Sequence, residues 1–352
     1  MLYDNAQLLV AFTRLAQLDP DARQTARDVA EGISAFLIEV MQQPEGGFAS
    51  AQDSESAVDG VRVEGAYFAL DAGARGGQDP PSLDAKVLTG WNGLAIGALA
   101  TAGFVFSRDP WITAARRAAD ALIERHLRVD GTLVRTSLAG RMSEAHATLE
   151  DYGMLASGLL DLAAASGEAR YAVVARSLVD RSLVDQTLVD QTFVDKTRAF
   201  EGETFVVPGG ADPVLLSLGI ALENDPYLTT GHLRYRQAAE RVIHQLMPVA
   251  APRPVSFGAT LAVASALAQP IEQLVVVSDD PHSALAAVAR SLFRSGAIST
   301  VLTPAQAAAF ADAGFELFEG RKKEAAYLCR SFVCRMPFDD ASELAEALGQ
   351  RG

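Results

Sequence analysis

Apolar residues recur at steps of three and four along most of the first two-thirds of the chain, which predicts amphipathic helices. One segment shows this most clearly, because its apolar positions form a single continuous face: Leu149, Tyr152, Leu155, Leu159 and Leu162. The same periodicity predicts helices over six further ranges: Leu2–Leu18, Asp21–Met41, Val87–Phe106, Ile112–Leu127, Val214–Leu222 and Arg234–Leu246. Most of these helices come in consecutive pairs, so the predicted repeating unit is a helical hairpin.

Short glycine-containing turns separate the predicted hairpins, and each turn is followed by an apolar residue. They lie at 46–48, 130–133 and 202–205. Glycine suits the left-handed conformation that ends a helix. A turn of this kind after successive hairpins predicts a closed or nearly closed ring, a mainly α fold of the (α/α)6 toroid type. A helical solenoid is the alternative, but the spacing of the turns is too uneven for a strict repeat.

The pattern changes at about Ile271, where strand-like and helical segments begin to alternate. It predicts a buried strand over 271–277, a helix over 283–293, a strand over 299–302 and one more strand within 325–338. This order indicates a βαβ unit. We therefore divide the chain into a helical-hairpin toroid over 1–268 and a small C-terminal α/β segment over 269–352.

A run from Ser177 to Asp195 repeats a five-residue unit. A five-residue step turns a helix by about 140°, so the repeated apolar positions cannot share one buried stripe. Tandem duplication of a short stretch, tolerated as an extended or frayed helix, is favoured over a pentapeptide β-helix.

Composition narrows the classes of partner. The 352 residues are 49% hydrophobic, and 30 basic against 44 acidic residues give a formal charge of −14. A strongly acidic chain without a long basic run does not neutralise phosphates, so we expect neither nucleic acid nor an anionic membrane as a partner. The N-terminus lacks a basic flank with an apolar run, and no apolar stretch approaches roughly twenty residues. We therefore expect a cytoplasmic protein without a membrane span.

Cys329 and Cys334 are the two cysteines. Their spacing is that of neither a Cys-x-x-Cys redox site nor half of a zinc site. Two reduced thiols are therefore favoured over a disulfide. His and Cys residues show no metal-ligand spacing, and the glycines at 90 and 93 lack the Lys-Ser/Thr of a phosphate loop. We expect no metal and no cofactor.

Several passages carry a resemblance to a known family. They are 1–6 (MLYDNA), 46–53 (GGFASAQD), 64–68 (EGAYF), 86–94 (KVLTGWNGL), 149–152 (LEDY) and the tail 326–334. Over most of its length the chain resembles the thioredoxin-domain-containing, spermatogenesis-associated protein 20-like family. The resemblance implies a helical toroid similar to N-acylglucosamine 2-epimerases and six-hairpin glycosidases, which act on sugars in the mouth of the ring.

The chain departs from that family in two places. Family members usually carry a thioredoxin-like domain before the passage that begins this sequence. They also have a longer helical insert where this chain has only the short stretch 72–81. The resemblance therefore implies the toroid portion alone, with a ring that lacks one hairpin.

A sugar site needs aromatic rings for the apolar side of the sugar and carboxylates for proton transfer or hydroxyl recognition. The candidate catalytic residues are Asp53, Glu150, Asp151 and His146. The candidate substrate-binding residues are Glu64, Tyr67, Trp91, Asn92 and Tyr152. Glycoside hydrolysis requires two carboxyls about 5 to 9.5 Å apart, for which Asp53 and Asp151 are the candidates. Epimerisation requires a base, and His146 lies on the helical face of Glu150 if that helix starts early.

Several candidates also have a purely structural interpretation. Glu150 and Asp151 in a first helical turn complement the helix dipole. Trp91 follows Leu88 by three positions and fits a core face. Asp53 lies in a Ser- and acid-rich stretch that is expected to be a solvated loop.

The remaining polar residues differ in whether they are expected at the surface or in the interior. His126 and His232 stand beside charged residues and are expected on the solvated surface. Asn92, in contrast, lies within an apolar helix and needs a hydrogen-bond partner.

Three hypotheses of function follow. The first is a carbohydrate-active enzyme of epimerase or hydrolase type. The second is a non-enzymatic binding or scaffold module whose partner is a thioredoxin-like domain on another chain, which predicts an exposed apolar patch near Met1. The third is a degenerate gene product without activity, with which the repeats after Ser177 are consistent.

Overall fold

A computed structural model describes residues 1–58, 61–184, 233–292, 297–321 and 324–349. The turn predicted at 202–205, the helix predicted at 214–222, His232 and the later copies of the five-residue unit lie outside these described residues. The first copies, from Ser177 to Val184, form the last part of a regular helix.

Helical hairpins make up most of the described chain. The helices are α1 (Leu2–Leu18), α2 (Arg23–Phe36, continued by a π-helical turn Leu37–Met41), α3 (Ala72–Arg75), α4 (Thr89–Phe106), α5 (Asp109–Arg125), α6 (Leu149–Ser166), α7 (Ala169–Val184), α8 (Leu233–Ala250) and α9 (Gly258–Leu267). The predicted mainly α class, built from paired helices, is confirmed.

The first three hairpins form two layers. Helix α4 packs against α1 on one side and α6 on the other, and each of these three helices also packs against the helix that follows it in its hairpin. Helices α1, α4 and α6 form an inner layer, and α2, α5 and α7 form an outer layer. Parallel inner helices with antiparallel outer partners have the layout of a segment of an (α/α) toroid.

Small residues allow α4 and α6 to approach at backbone distance. A Cβ on Gly93 would lie 2.5 Å from the carbonyl oxygen of Met154, and a Cβ on Gly158 would overlap the carbonyl oxygen of Gly93. Further along, a Cβ on Gly97 would lie 2.7 Å from Oδ2 of Asp161. Since these contacts advance in the same direction on both helices, α4 and α6 run parallel.

Asp161 is expected to make the free energy of unfolding depend on pH. Burial raises the pKa of this carboxyl to about 7, and Arg14 opposes the shift only partly. Between the unfolded pKa of about 3.9 and the folded pKa, the native protein binds a proton that the unfolded chain does not, so stability falls as pH rises through this window. Asp161 keeps part of its surface accessible, so we expect Asp161→Asn to stabilise the protein by roughly 2 kcal/mol at pH 8.

Thermal unfolding at pH 5 and pH 8 measures this difference. The control is Asp28→Asn, because Asp28 is an exposed residue of α2 that bonds Gln24. Equal effects of Asp161→Asn at the two pH values would contradict the assignment.

Helix α4 is long and apolar enough by composition to cross a bilayer, with a mean hydropathy of 1.2 over 18 residues. The expectation that no apolar stretch approaches that length was therefore wrong. In the folded chain 72% of this helix is buried, as is usual for the central helix of a protein core.

The C-terminal segment is a mixed sheet with helices. Its elements are β8 (Glu272–Val277), α10 (Ala284–Ser291), β9 (Ala297–Leu302), α11 (Pro304–Asp312), β10 (Ala325–Arg330), β11 (Val333–Cys334) and α12 (Ala341–Ala347). The strand order is β11-β10-β8-β9, with β8 parallel to β9 and antiparallel to β10. The predicted strand, helix and strand from Ile271 onward, and the later strand, are all present.

This sheet lies at the C-terminal ends of the inner helices. The hydroxyl of Thr300 in β9 donates to the carbonyl of Ala164 in α6, 2.6 Å away. The amide of Gln17 in α1 donates to the carbonyl of Arg290, 2.9 Å away. Because the sheet occupies one end of the helical layers, the opposite end is where the remaining loops gather.

Cys329 and Cys334 are joined by a disulfide. The prediction of two reduced thiols was therefore wrong. The two residues face each other in register across β10 and β11, and sequence spacing alone does not reveal that a tight hairpin brings them together.

Candidate functional site

The N-terminal ends of α1, α4 and α6 meet at the end of the inner layer opposite the sheet. The loop after α2 closes against them, since the backbone N–H of Leu2 donates to Ser50 at 2.9 Å. The N–H of Gly90 donates to Oδ1 of Asp151 at 3.0 Å. We call this end, which comprises the three helix starts and the loop 42–50, the mouth.

Asn92 joins α4 to the loop of the mouth. Its side chain is fully buried. The carbonyl oxygen of its amide accepts from the N–H of Phe48 at 2.7 Å, and the nitrogen donates to the carbonyls of Phe48 at 3.1 Å and Leu88 at 3.0 Å. The amide thus pairs with Phe48 as a neighbouring strand would. The predicted need for a partner is confirmed, and that partner is main chain.

Thr89 begins α4 and contacts a buried histidine. Its hydroxyl lies 2.7 Å from Nδ1 of His126 and also contacts the carbonyl of Val134, while Nε2 of His126 lies 2.9 Å from the hydroxyl of Ser137. The Thr89 hydroxyl has one proton, which the carbonyl requires, so Nδ1 of the imidazole donates to Thr89 and Nε2 accepts from Ser137. Burial, assisted by Arg125, lowers the pKa of His126 to about 4.

His126 therefore belongs to the interior in its neutral form, with 2% of its surface exposed. The expectation of a solvated surface histidine was wrong. The charged neighbour that suggested it, Arg125, adjoins His126 in sequence, but the imidazole itself faces Thr89 and Ser137.

Asp151 caps α6. Its Oδ2 accepts from the backbone N–H of Thr148 at 2.8 Å and from the hydroxyl of Thr148 at 3.1 Å, completing a capping box. Burial raises the pKa of Asp151 despite these hydrogen bonds. The neighbouring Tyr152 is buried and accepts from the N–H of Leu133 at 2.9 Å. Both side chains bind main chain that shapes the mouth.

Trp91 and Tyr3 form an aromatic pair across α4 and α1. Their ring centroids are 4.8 Å apart with planes tilted by 57°. Tyr3 and Trp91 are both partly exposed, as are Asp4, which follows Tyr3 in α1, and Glu150 in the first turn of α6. The mouth therefore contains a partly exposed aromatic pair, and two of its three helix starts carry an acidic residue.

A second group of candidates lies on the insert between the mouth loop and α4. Its strands are β1 (Ala51–Gln52), β2 (Glu55–Val58), β3 (Val61–Glu64), β4 (Leu83–Asp84) and β5 (Lys86–Leu88). Strand β5 forms a separate small sheet with β6 (Thr136–Leu138) and β7 (Arg141–Met142).

Within the insert, Arg62 bridges Asp53 at 3.5 Å and Glu55 at 2.9 Å. Glu64 is exposed and faces Glu55 across the strands. Tyr67 packs edge-on against Phe68, with ring centroids 5.4 Å apart. Asp53 thus bonds a residue of the insert, whereas Asp151 bonds Gly90 and Thr148 at the helix starts.

His146 lies outside α6, which begins at Leu149 with Thr148 as its N-cap. The assumption that the helix starts early enough to place His146 on the face of Glu150 was wrong, because the capping box fixes the start. His146 is instead exposed and forms a bridge with Val134, whose carbonyl contacts Thr89. Through this bridge, the backbone of His146 lies near the start of α4 and therefore beside the mouth.

The structure brings Trp91, Asn92, Glu150, Asp151 and Tyr152 to the mouth. Sequence reasoning missed Tyr3, although it lies in the first passage that carries the family resemblance. In the described ranges, no group of three or more His, Cys, Asp or Glu side chains is arranged to hold a metal ion.

Comparison with known proteins adds distant relatives. No family model matches the chain. Human spermatogenesis-associated protein 20 is 24% identical over 99% of this chain and 57% of its own length. Uncharacterized protein B0495.5 of Caenorhabditis elegans is 27% identical over 78% of this chain and 39% of its own length.

The chain is a distant homologue of spermatogenesis-associated protein 20. It spans about half the length of these curated relatives. Among solved structures, the cellobiose 2-epimerase of Bacillus thermoamylovorans B4167 is 10% identical with a TM-score of 0.47, over 70% of this chain and 60% of that enzyme.

Proposed function

We propose that the mouth binds a neutral carbohydrate and that the chain acts on it as an enzyme of the epimerase or isomerase type. The accessible pair of Tyr3 and Trp91 carries this proposal. Tilted aromatic rings offer an apolar surface on which the C–H face of a sugar ring packs. The carboxylates of Asp4 and Glu150, in the first turns of α1 and α6, are suitable acceptors for sugar hydroxyls.

The charge of the chain favours a neutral sugar over a phosphorylated one. The formal charge is −14, and Asp4 and Glu150 add acidic groups at the mouth itself. A phosphate would enter against this field, because a strongly acidic surface lowers the local concentration of anions.

Of the two chemistries considered, proton transfer suits the described contacts better than hydrolysis. Hydrolysis requires a second carboxyl that can reach the sugar, but Asp151 is buried and bonded to Thr148 and Gly90. Epimerisation requires a base beside a carbon next to a carbonyl, and the exposed His146 is the candidate base. Glu150 is the candidate for binding the hydroxyls.

A thermal-shift and calorimetric screen against neutral mono- and disaccharides tests the proposal. We expect stabilisation by at least one sugar, and a loss of affinity of about tenfold in Glu150→Gln, since charge-assisted hydrogen bonds contribute roughly 1.5 to 3 kcal/mol. The control is Glu144→Gln, because Glu144 is an exposed carboxylate of the preceding loop. Equal affinity in both variants would remove Glu150 from the site.

A specific observation favours a second candidate function. Large apolar side chains of α1 and its N-cap are exposed: Met1 (52%), Leu8 (48%), Leu15 (38%) and Leu18 (62%). Leu8, Leu15 and Leu18 recur at helical spacing, as expected of a surface that packs against a partner. A scaffold that binds a thioredoxin-like domain would use this face, and a folded protein indifferent to every sugar would favour it.

A further inference from the structure

The disulfide of the C-terminal sheet closes a very short hairpin. Strands β10 and β11 are joined by Ser331 and Phe332, which both adopt left-handed backbone conformations with φ of 47° and 66°. Cys329 is fully buried, whereas Cys334 in β11 keeps part of its surface accessible. The two cysteines therefore differ in their access to solvent.

A fixed positive charge lies against both sulfurs. Nη2 of Arg321 is 2.8 Å from Sγ of Cys334 and 3.5 Å from Sγ of Cys329. The guanidinium is held in place because its Nε donates to the carbonyl of Leu317 at 3.0 Å and its carbon lies 4.6 Å from the ring centroid of Tyr327. A cation in this position stabilises a thiolate far more than it stabilises a neutral disulfide.

Cys334, the more exposed of the two cysteines, lines a cleft. The cleft has a volume of about 290 Å³ and is lined by Glu316, Leu317, Glu319, Arg321, Phe332 and Cys334. Cys329 is absent from this lining. A thiol that enters the cleft therefore meets Sγ of Cys334 beside the guanidinium.

We propose that Cys329 and Cys334 form a redox-active pair that exchanges with an external dithiol, with attack at Cys334. The proposal is independent of the carbohydrate function of the mouth. Disulfides whose reduced form is stabilised by a nearby cation are the readily reducible ones.

The exchange has two steps. A thiolate of the external dithiol attacks Sγ of Cys334, forming a mixed disulfide, and the electron pair of the broken bond leaves on Cys329 as a thiolate beside Arg321. The second thiolate of the reductant then attacks the reductant's first sulfur in the mixed disulfide and releases Cys334 as a thiolate. The reductant loses two electrons and becomes a disulfide, while the protein gains two electrons and, after protonation, two thiols.

The other charges of the cleft define the class of reductant. Glu316 and Glu319 are both exposed at its rim. Their negative charges disfavour the approach of an anionic thiol such as glutathione. A neutral or cationic dithiol is therefore the expected partner.

The test follows reduction of the full-length oxidised protein by dithiothreitol, with maleimide quenching and intact-mass analysis. We expect Arg321→Gln to slow reduction about three- to tenfold, since the leaving thiolate loses its cation. The matched control is Arg335→Gln, because Arg335 is an exposed cation adjacent in sequence to Cys334, and its rate is expected to stay within twofold of wild type.

If Arg321→Gln does not fold, the pKa of the Cys334 thiol is measured instead. In Cys329→Ser, the pH dependence of Cys334 alkylation by iodoacetamide gives the thiol pKa directly, and we expect a value below the usual one of about 8.5. A midpoint at or above about 8.5 overturns the proposal. Equal reduction rates for wild type and Arg321→Gln, or an oxidised pair that resists excess dithiothreitol in the folded protein, overturn it as well.

Discussion

Gly158→Ala is expected to destabilise the protein by about 3 kcal/mol or more. The added methyl group would overlap the carbonyl oxygen of Gly93 on α4. Neither partner can yield by a side-chain rotation, because the contact is between two helix backbones. The inner helices must separate, and overpacking of this kind costs about 1 to 3 kcal/mol or more.

The matched control is Gly32→Ala in α2. A Cβ at Gly32 meets nothing within 4 Å, so the same chemical change should stabilise the protein by about 0.5 to 1 kcal/mol through helix propensity. Chemical denaturation of the two variants measures the opposite signs. A small effect of Gly158→Ala would show that α4 and α6 do not touch at this point.

Asn92→Ala is expected to cost about 3 kcal/mol. The substitution leaves the N–H and carbonyl of Phe48 without their amide partner in a fully buried place. Each buried polar group without a partner costs about 1 to 3 kcal/mol. Because Phe48 anchors the loop of the mouth, we also expect faster hydrogen exchange at the Phe48 amide.

The control for this variant is Asn5→Ala in α1. Asn5 also donates from its amide to a carbonyl four residues earlier, that of Met1, but this hydrogen bond is exposed. Its loss should change the free energy of unfolding by about 0.5 kcal/mol or less. Similar costs for the two variants would mean that Asn92 does not hold the loop.

Most of the helices could be predicted from sequence because their buried residues recur at steps of three and four. The predicted start at Leu2 and end at Phe106 agree with the structure. The predicted start at Val87 does not, because α4 is apolar around most of its circumference and its first apolar residues belong to β5. Strand β8 was predictable for a different reason, because it is buried at every position and its sequence ends in a continuous apolar run.

The role of the passage from Thr89 to Gly93 could not be read from spacing. Each of its residues contacts a different element: Thr89 the buried His126, Gly90 the cap of α6, Trp91 the ring of Tyr3, Asn92 the loop at Phe48 and Gly93 the backbone of α6. These partners lie 30 to 90 positions away in the chain, and some of them belong to the start of another helix. No local pattern of apolar and polar residues therefore predicts these contacts. The passage shapes the mouth by joining its parts.

The errors at His126 and at the two cysteines share a physical cause. Neighbours in sequence suggested solvent for His126, but long-range contacts with Thr89 and Ser137 decide its environment. The left-handed turn at Ser331 and Phe332 brings Cys329 and Cys334 together. The residue types do not predict this turn, because such turns usually contain Gly or Asn.

Asp151 shows how a candidate changes role once contacts are known. An acidic residue in the first turn suits both catalysis and capping, and the sequence cannot separate them. The hydrogen bonds to Thr148 and Gly90 favour capping, which leaves Glu150 as the acidic candidate of α6 in the proposed site.

The fluorescence of Trp91 tests the central claim, a sugar bound on the aromatic pair of the mouth, most directly. The chain has two tryptophans, so Trp111→Phe leaves Trp91 as the single reporter. Titration with a sugar that stabilises the protein is predicted to shift its emission with the midpoint seen by calorimetry. Calorimetric binding without any change in Trp91 emission would contradict the account and place the sugar elsewhere.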